Sequence, residues 1–139
     1  MNPNMKLSEQ LRIEEGVLNA DIATDRTSAY YDATGYRRFA AKAFAKDVNS
    51  DKNLTVQLLQ ATDSSGTGAK ALSSLVTSVS DDSPSGDINA IAEAQDSDFD
   101  SANGFKYIAV QLTSDDTTVL ANANLIMAGN RFAPYVAPT

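Results

Sequence analysis

The sequence contains no histidine, no cysteine and no tryptophan. Each absence closes a route to chemistry. Without histidine there is no imidazole to take a proton from a hydroxyl nucleophile, and no Gly-x-Ser-x-Gly elbow occurs, so a hydrolase triad of the usual form is excluded. Without cysteine there is no disulfide framework, no thiolate zinc site and no thiol nucleophile. Neither kind of staple is needed, because a chain of 139 residues can bury one core unaided. The expectation is one domain, no enzyme activity, and no cofactor.

Long apolar runs are missing as well. The opening segment MNPNMKLSEQLRIEEG has no stretch of about 7 to 15 apolar residues behind Lys6, so it is not expected to be a secretory signal. Nowhere do about 18 apolar residues follow one another, so no membrane-spanning helix is expected. Positive charge is scarce: 11 basic against 18 acidic residues leave a net charge of −7. That balance opposes binding to phosphate backbones and to anionic lipid, and favours a protein partner with basic patches. Direct nucleic-acid and membrane partners are therefore not expected.

What is present is a series of short alternating apolar runs set between Asp, Ser, Gly and Asn clusters. In Leu54 to Ala61 the residues Leu54, Val56 and Leu58 share one face, with Thr55, Gln57 and Leu59 on the other. Ile108, Val110 and Leu112 do the same against Phe105, Tyr107 and Ala109. Ala121, Ala123, Leu125 and Met127 alternate with Asn122, Asn124 and Ile126 before Gly129-Asn130 closes the run. The segment from Tyr36 is ambiguous, because its alanines favour helix while Phe39, Ala41, Ala43 and Ala45 alternate with charged residues and Phe44 breaks the alternation. A strand is preferred there, joined as a hairpin to Leu54–Ala61 through the Asn49–Asn53 turn cluster. Further strands are expected at Tyr30–Asp32 and Ala71–Ser80, and Ile88–Gln95 fits either a short helix or a strand. Lys6 to Leu18 reads as a short helix capped by Ser8, with Leu7 and Leu11 at helical spacing, or equally as an extended arm. The sum is a mainly β fold, an antiparallel β-sandwich or jelly-roll-like barrel with a short N-terminal helix or arm. Its expected boundaries are an arm over 1–16, a β domain over 17–130 and an extended arm over 131–139.

Several clusters invite a site, and each has a simpler reading. Gly66-Thr67-Gly68-Ala69-Lys70 lacks the glycine spacing and the Ser or Thr after Lys that a phosphate loop needs, so it reads as a hairpin turn. Asp96, Asp98 and Asp100 start like a calcium loop. The pattern then fails at Ser101, where a glycine is required, and at Tyr107, where a glutamate is required, leaving a solvated acidic loop in which Ca²⁺ is an open question. The pairs Asp81-Asp82 and Asp115-Asp116 read as turn residues. Tyr30, Tyr31, Tyr36 and Phe39, interrupted by Arg37 and Arg38, fit either a stacking platform for sugars or bases or the core and edge positions of one hairpin.

The order of features resembles one family of proteins. Tyr30-Tyr31-Asp32 is followed by Gly35-Tyr36, then LTVQLLQATDSSGTGAK, then an acidic loop ending NGFKYIAVQL, and finally Gly129-Asn130-Arg131-Phe132-Ala133-Pro134-Tyr135. This arrangement resembles the head-associated structural proteins of tailed bacteriophages, of the capsid decoration or cement type. The resemblance implies a protein with no active site, placed on the outer lattice of a capsid, bound to the major capsid protein and assembled as a trimer or dimer. Alternatives are a head-tail connector, a tail or fibre component, or a carbohydrate- or receptor-binding β module. On this reading the assembly interface draws on Leu7, Leu11, Ile13, Tyr30, Tyr31, Tyr36, Phe132 and Tyr135.

Overall fold

The structure is a computed structural model, and it describes residues 4, 6, 11–17, 20–21, 25–116 and 120–129. Among them eleven β-strands run in chain order: β1 (Leu11–Glu15), β2 (Ala20–Asp21), β3 (Arg26–Thr27), β4 (Tyr31–Asp32), β5 (Arg38–Asn49), β6 (Asn53–Ala61), β7 (Lys70–Ala71), β8 (Val76–Val79), β9 (Ser85–Gln95), β10 (Tyr107–Ser114) and β11 (Leu120–Ala128). The helical content of these residues is two single turns of 3-10 helix, Asp96–Asp98 and Ser101–Asn103.

All pairings are antiparallel and form two sheets. The first runs β1-β11-β5-β9, with β2 also on β11; the second runs β3-β10-β6-β7, with β4 also on β10 and β8 also on β6. The short strands are pieces of interrupted edges. β1 and β2 both lie on β11, β3 and β4 on β10, and β7 and β8 on β6. Joining each pair gives two four-stranded sheets in which successive strands alternate between sheets, except for the β6–β7 hairpin. That is the connectivity of a jelly roll.

The core lies between two unlike faces. The first sheet turns inward Phe39, Ala41, Ala43 and Ala45 from β5, Ala90, Ala92 and Ala94 from β9, and Ala121, Ala123, Leu125 and Met127 from β11. The second sheet answers with Leu54, Val56 and Leu58 from β6 and Ile108, Val110 and Leu112 from β10. A face of alanines lets the larger aliphatic face approach closely, so packing density is reached by pairing small with large.

Several expectations change here. β5 and β6 are not a hairpin: β5 pairs with β11 and β9, whereas β6 pairs with β10, β7 and β8. Both strands need their alternating face buried, and crossing from one sheet to the other lets the two faces meet across the core. The crossing is made by a bulge between Ala45 and Val48 and by left-handed backbone at Asp47 and Asp51. It is clamped by the pair read from sequence as turn residues. Asp116, 2% exposed, accepts the Asn49 N–H at 2.8 Å, and Asp115 accepts the Asn53 N–H at 2.7 Å. Ile88–Gln95 belongs to a strand, and the strand expected over Ala71–Ser80 is two pieces, β7 and β8.

The N-terminal helix over Lys6 to Leu18 is also revised. Leu11–Glu15 form β1, paired from Leu11↔Ala128 to Glu15↔Asn124 as one edge of the first sheet. A two-residue repeat with one face over the sheet prevails over the four-residue spacing of Leu7 and Leu11, because pairing to β11 satisfies the backbone. The Ser8 cap and the arm over 131–139 lie outside the described residues.

Candidate assembly surface

The outward face of the first sheet collects apolar side chains from strands far apart in sequence. Because neighbouring strands are in register, its side chains fall into rows. One row reads Ile13, Ile126, Ala40, Glu93; on one side of it lies Leu11, Ala128, Arg38, Gln95, and on the other Glu15, Asn124, Lys42, Ile91. Next comes Asn122, Phe44, Asn89. Ile13 is 61% exposed, Ile91 51% and Phe44 37%. These large apolar groups stand among Lys42, Glu93, Asn89 and Asn124, and they make this face the candidate contact surface.

The β1 edge is held in place by two of the tyrosines. Tyr31 donates its hydroxyl to the Glu15 carbonyl at 2.7 Å, and the Arg12 guanidinium lies 5.9 Å from the Tyr31 ring centre. Arg12 donates to the Glu14 carboxylate at 2.5 Å. Burial works against the Arg12 charge, but hydrogen bonding and attraction from Glu14, aided by Tyr36, hold its pKa above the ordinary value. Tyr31 is pushed up by burial and by the charges of Glu14 and Glu15.

Leu11, Ile13, Tyr31 and Tyr36 are thus brought together around one strand, although Tyr31 and Tyr36 also rest on the core. Tyr30 is elsewhere. A Cβ added at Gly66 would stand 2.7 Å from the Tyr30 ring, so Tyr30 lies against the Gly66 loop. The three tyrosines are half-buried and divided between two places, and they make no common stacking platform. Leu7, Phe132 and Tyr135 lie outside the described residues. Phe44, Ile91, Ile126 and Ala40 were missed, yet Phe44 carried a signal: it is a large apolar residue in the polar phase of a strand.

The loops at one end of the sandwich are organised by carboxylates acting on the chain itself. Asp63 accepts the Ser65 and Thr67 N–H groups at 2.9 and 3.1 Å, closing the turn whose Gly66 and Gly68 have positive φ. Asp98 accepts the Gln95 N–H at 2.8 Å, and Asp100 accepts Lys70 at 2.6 Å and the Asn103 amide at 2.9 Å. Among the described residues no group of three or more acidic side chains is placed to hold a metal ion. The same end holds a small hollow of about 70 Å³ lined by Tyr36, Phe39, Phe99 and Phe105 with Asp96 and Lys106 at its rim.

The hydrogen bonds from Thr67 lower the Asp63 pKa, and those from Lys70 and Asn103 lower that of Asp100. A carboxylate with a depressed folded pKa contributes stability above its unfolded value, and that stability is lost as pH falls through the folded value. Below about pH 4, the unfolded carboxylate range, the protection factors of the Ser65 and Thr67 backbone amides and of the Asn103 side-chain amide are therefore expected to fall before the strands open. Unchanged protection of these amides down to the global acid transition would contradict the assignment.

No protein-family model matches the sequence, and no curated protein does. Solved structures match its fold. The chain is similar to the SPBc2 prophage-derived protein YomS, with 10% identity and a TM-score of 0.50 over 86% of this chain and 93% of that one. It is also similar to the PBSX exported protein XepA, with 11% identity and a TM-score of 0.51, over 100% of this chain but only 44% of that one. At such identities the likeness is one of architecture. It agrees with the antiparallel sandwich read from the strands.

Proposed function

We propose that the protein is a non-enzymatic structural component of a phage virion, decorating and cementing the outer surface of the capsid. The observation that carries this reading is the apolar outward face of the first sheet, where Ile13, Phe44 and Ile91 stand exposed on a rigid sandwich. The jelly-roll connectivity, shared architecture with a prophage-derived protein and the order of features in the sequence support it. A cement protein needs modest contacts made many times, because avidity over a closed lattice multiplies them. It stabilises by binding the assembled shell and not its separated subunits. The major capsid protein is the proposed partner. A carbohydrate-binding role would need Tyr30, Tyr31 and Tyr36 to share one exposed platform, and they do not.

Particles lacking the protein are expected to assemble but to release their contents at lower temperature than complete ones. Replacing Phe44 and Ile91 together with aspartate should leave the melting temperature of the isolated domain nearly unchanged and reduce its occupancy on particles, read by gel densitometry of purified virions. Particles equally robust without the protein, but unable to attach tails or adsorb to cells, would replace cementing with a connector or receptor-binding role.

A further inference from the structure

The outer edge of β1 carries a pattern that fits a second copy of itself. Among the described residues β1 has one strand neighbour, β11, so its other edge is unpaired by any strand. The phase of that edge follows from two bonds. The Gly16 N–H donates to Ala123 of β11 at 3.0 Å, and the Glu15 carbonyl, turned the other way, accepts the Tyr31 hydroxyl. Backbone direction alternates along a strand, so Arg12 and Glu14 bond toward β11 while the N–H and C=O of Leu11, Ile13 and Glu15 turn to the other edge, where the Glu15 carbonyl keeps one lone pair beside its bond from the Tyr31 hydroxyl.

Two copies meeting antiparallel across a two-fold axis must pair these odd-numbered residues with one another. Three registers do so over most of the strand. One centred on residue 12 places Arg12 opposite Arg12 of the other copy, and one centred on residue 14 places Glu14 opposite Glu14. Both set like charges face to face, which is destabilising. The register centred on Ile13 pairs Arg12 with Glu14 twice, at non-hydrogen-bonded positions where side chains come closest. Arg12 already donates to Glu14 of its own chain, and a guanidinium with five N–H groups can donate to a second carboxylate as well. The same register sets the exposed Ile13 against Ile13, joining the outward Ile13, Ile126 and Ala40 row of one copy to that of the other.

We propose that the protein self-associates as a two-fold dimer through antiparallel pairing of Leu11–Glu15 with the same strand of a second copy, centred on Ile13. The two first sheets become one continuous sheet. Five residues of edge make a small interface of the transient class, so the dimer is expected to form with rising concentration and to be fixed where many copies are held together. This inference stands apart from the virion reading, since it concerns the purified chain alone.

Because the chain has no cysteine, a single introduced thiol reports the register directly. Directly opposed residues in a hydrogen-bonded pair lie about 5.5 Å apart at Cα, within the span a disulfide can bridge. Full-length Ile13→Cys is expected to form a covalent dimer under mild oxidation much faster than Leu11→Cys, whose counterpart is Glu15. Sedimentation equilibrium of the natural sequence should show a monomer–dimer equilibrium, shifted toward monomer by Arg12→Glu and restored by combining Arg12→Glu with Glu14→Arg. A protein that stays monomeric at millimolar concentration, a trimer, or equal crosslinking at positions 11 and 13 would overturn the proposal.

Discussion

Leu58→Ala is expected to lower the stability of the domain by about 2–5 kcal/mol, measured as a fall in the urea midpoint at unchanged slope. Leu58 is fully buried on β6 and looks across the core at a face made largely of alanine. An alanine methyl has no torsion with which to fill the space left by a removed isobutyl group, so little of the cavity can be recovered. The opposite change on the other sheet should also be harmful. Ala43→Leu puts three more carbons into a fully buried position on the alanine face, and overpacking of this kind costs about 1–3 kcal/mol. If Leu58→Ala cost less than about 1 kcal/mol, the small-against-large account of this core would be wrong.

Gly16→Val is the second large effect expected. Gly16 needs no unusual φ; its constraint is space. A Cβ there would sit 2.6 Å from the Ala123 carbonyl oxygen and 2.6 Å from a Val110 methyl carbon, between the backbone of one sheet and a core side chain of the other. Neither neighbour can yield cheaply, because the Ala123 carbonyl accepts both the Gly16 and the Val17 N–H groups, at 3.0 and 3.2 Å. Substitution should therefore displace the β1–β2 edge, with a loss of about 1–3 kcal/mol typical of overpacking. Amide exchange at Arg12 and Glu14 should rise more than at Val110 or Leu112. A uniform change across both sheets would place the strain elsewhere.

The alternation that exposed β6, β10 and β11 in the sequence is strong because every second residue of each is buried in the core, a two-residue period that no helix reproduces. Strand partners were not legible. Phe39–Ala45 and Leu54–Leu58 carry the same signal whether they pair side by side or face each other across the core, and only the whole topology decides. β1 was hidden for a different reason: an edge strand with one exposed isoleucine has too few apolar residues to show its period, while Leu7 and Leu11 imitate a helical face. The tyrosines fitted two readings in the sequence, platform or core, because Tyr30 and Tyr31 look like one cluster in a line of text but leave an extended backbone in opposite directions. The apolar face was invisible as a unit because Ile13, Ala40, Ile91 and Ile126 come from four strands. Asp116 gave no sign of being buried, as its role depends on the Asn49 N–H, brought near by the crossing between sheets.

The first sheet has β1 and β11 side by side, with Leu11 opposite Ala128. During synthesis the two are separated by almost the whole domain, so the backbone of Leu11–Glu15 has no ladder partner until residues up to 128 have left the ribosome. The second sheet can begin around the local β6–β7 hairpin, whereas the alanine-lined sheet can begin with β5 and β9 but is completed only by its last strand. Closing such distant pairs carries a loop-entropy cost before any contact repays it, and proteins dominated by them fold slowly, on the order of milliseconds to seconds. The nascent chain consequently keeps an edge-forming segment open for much of its translation.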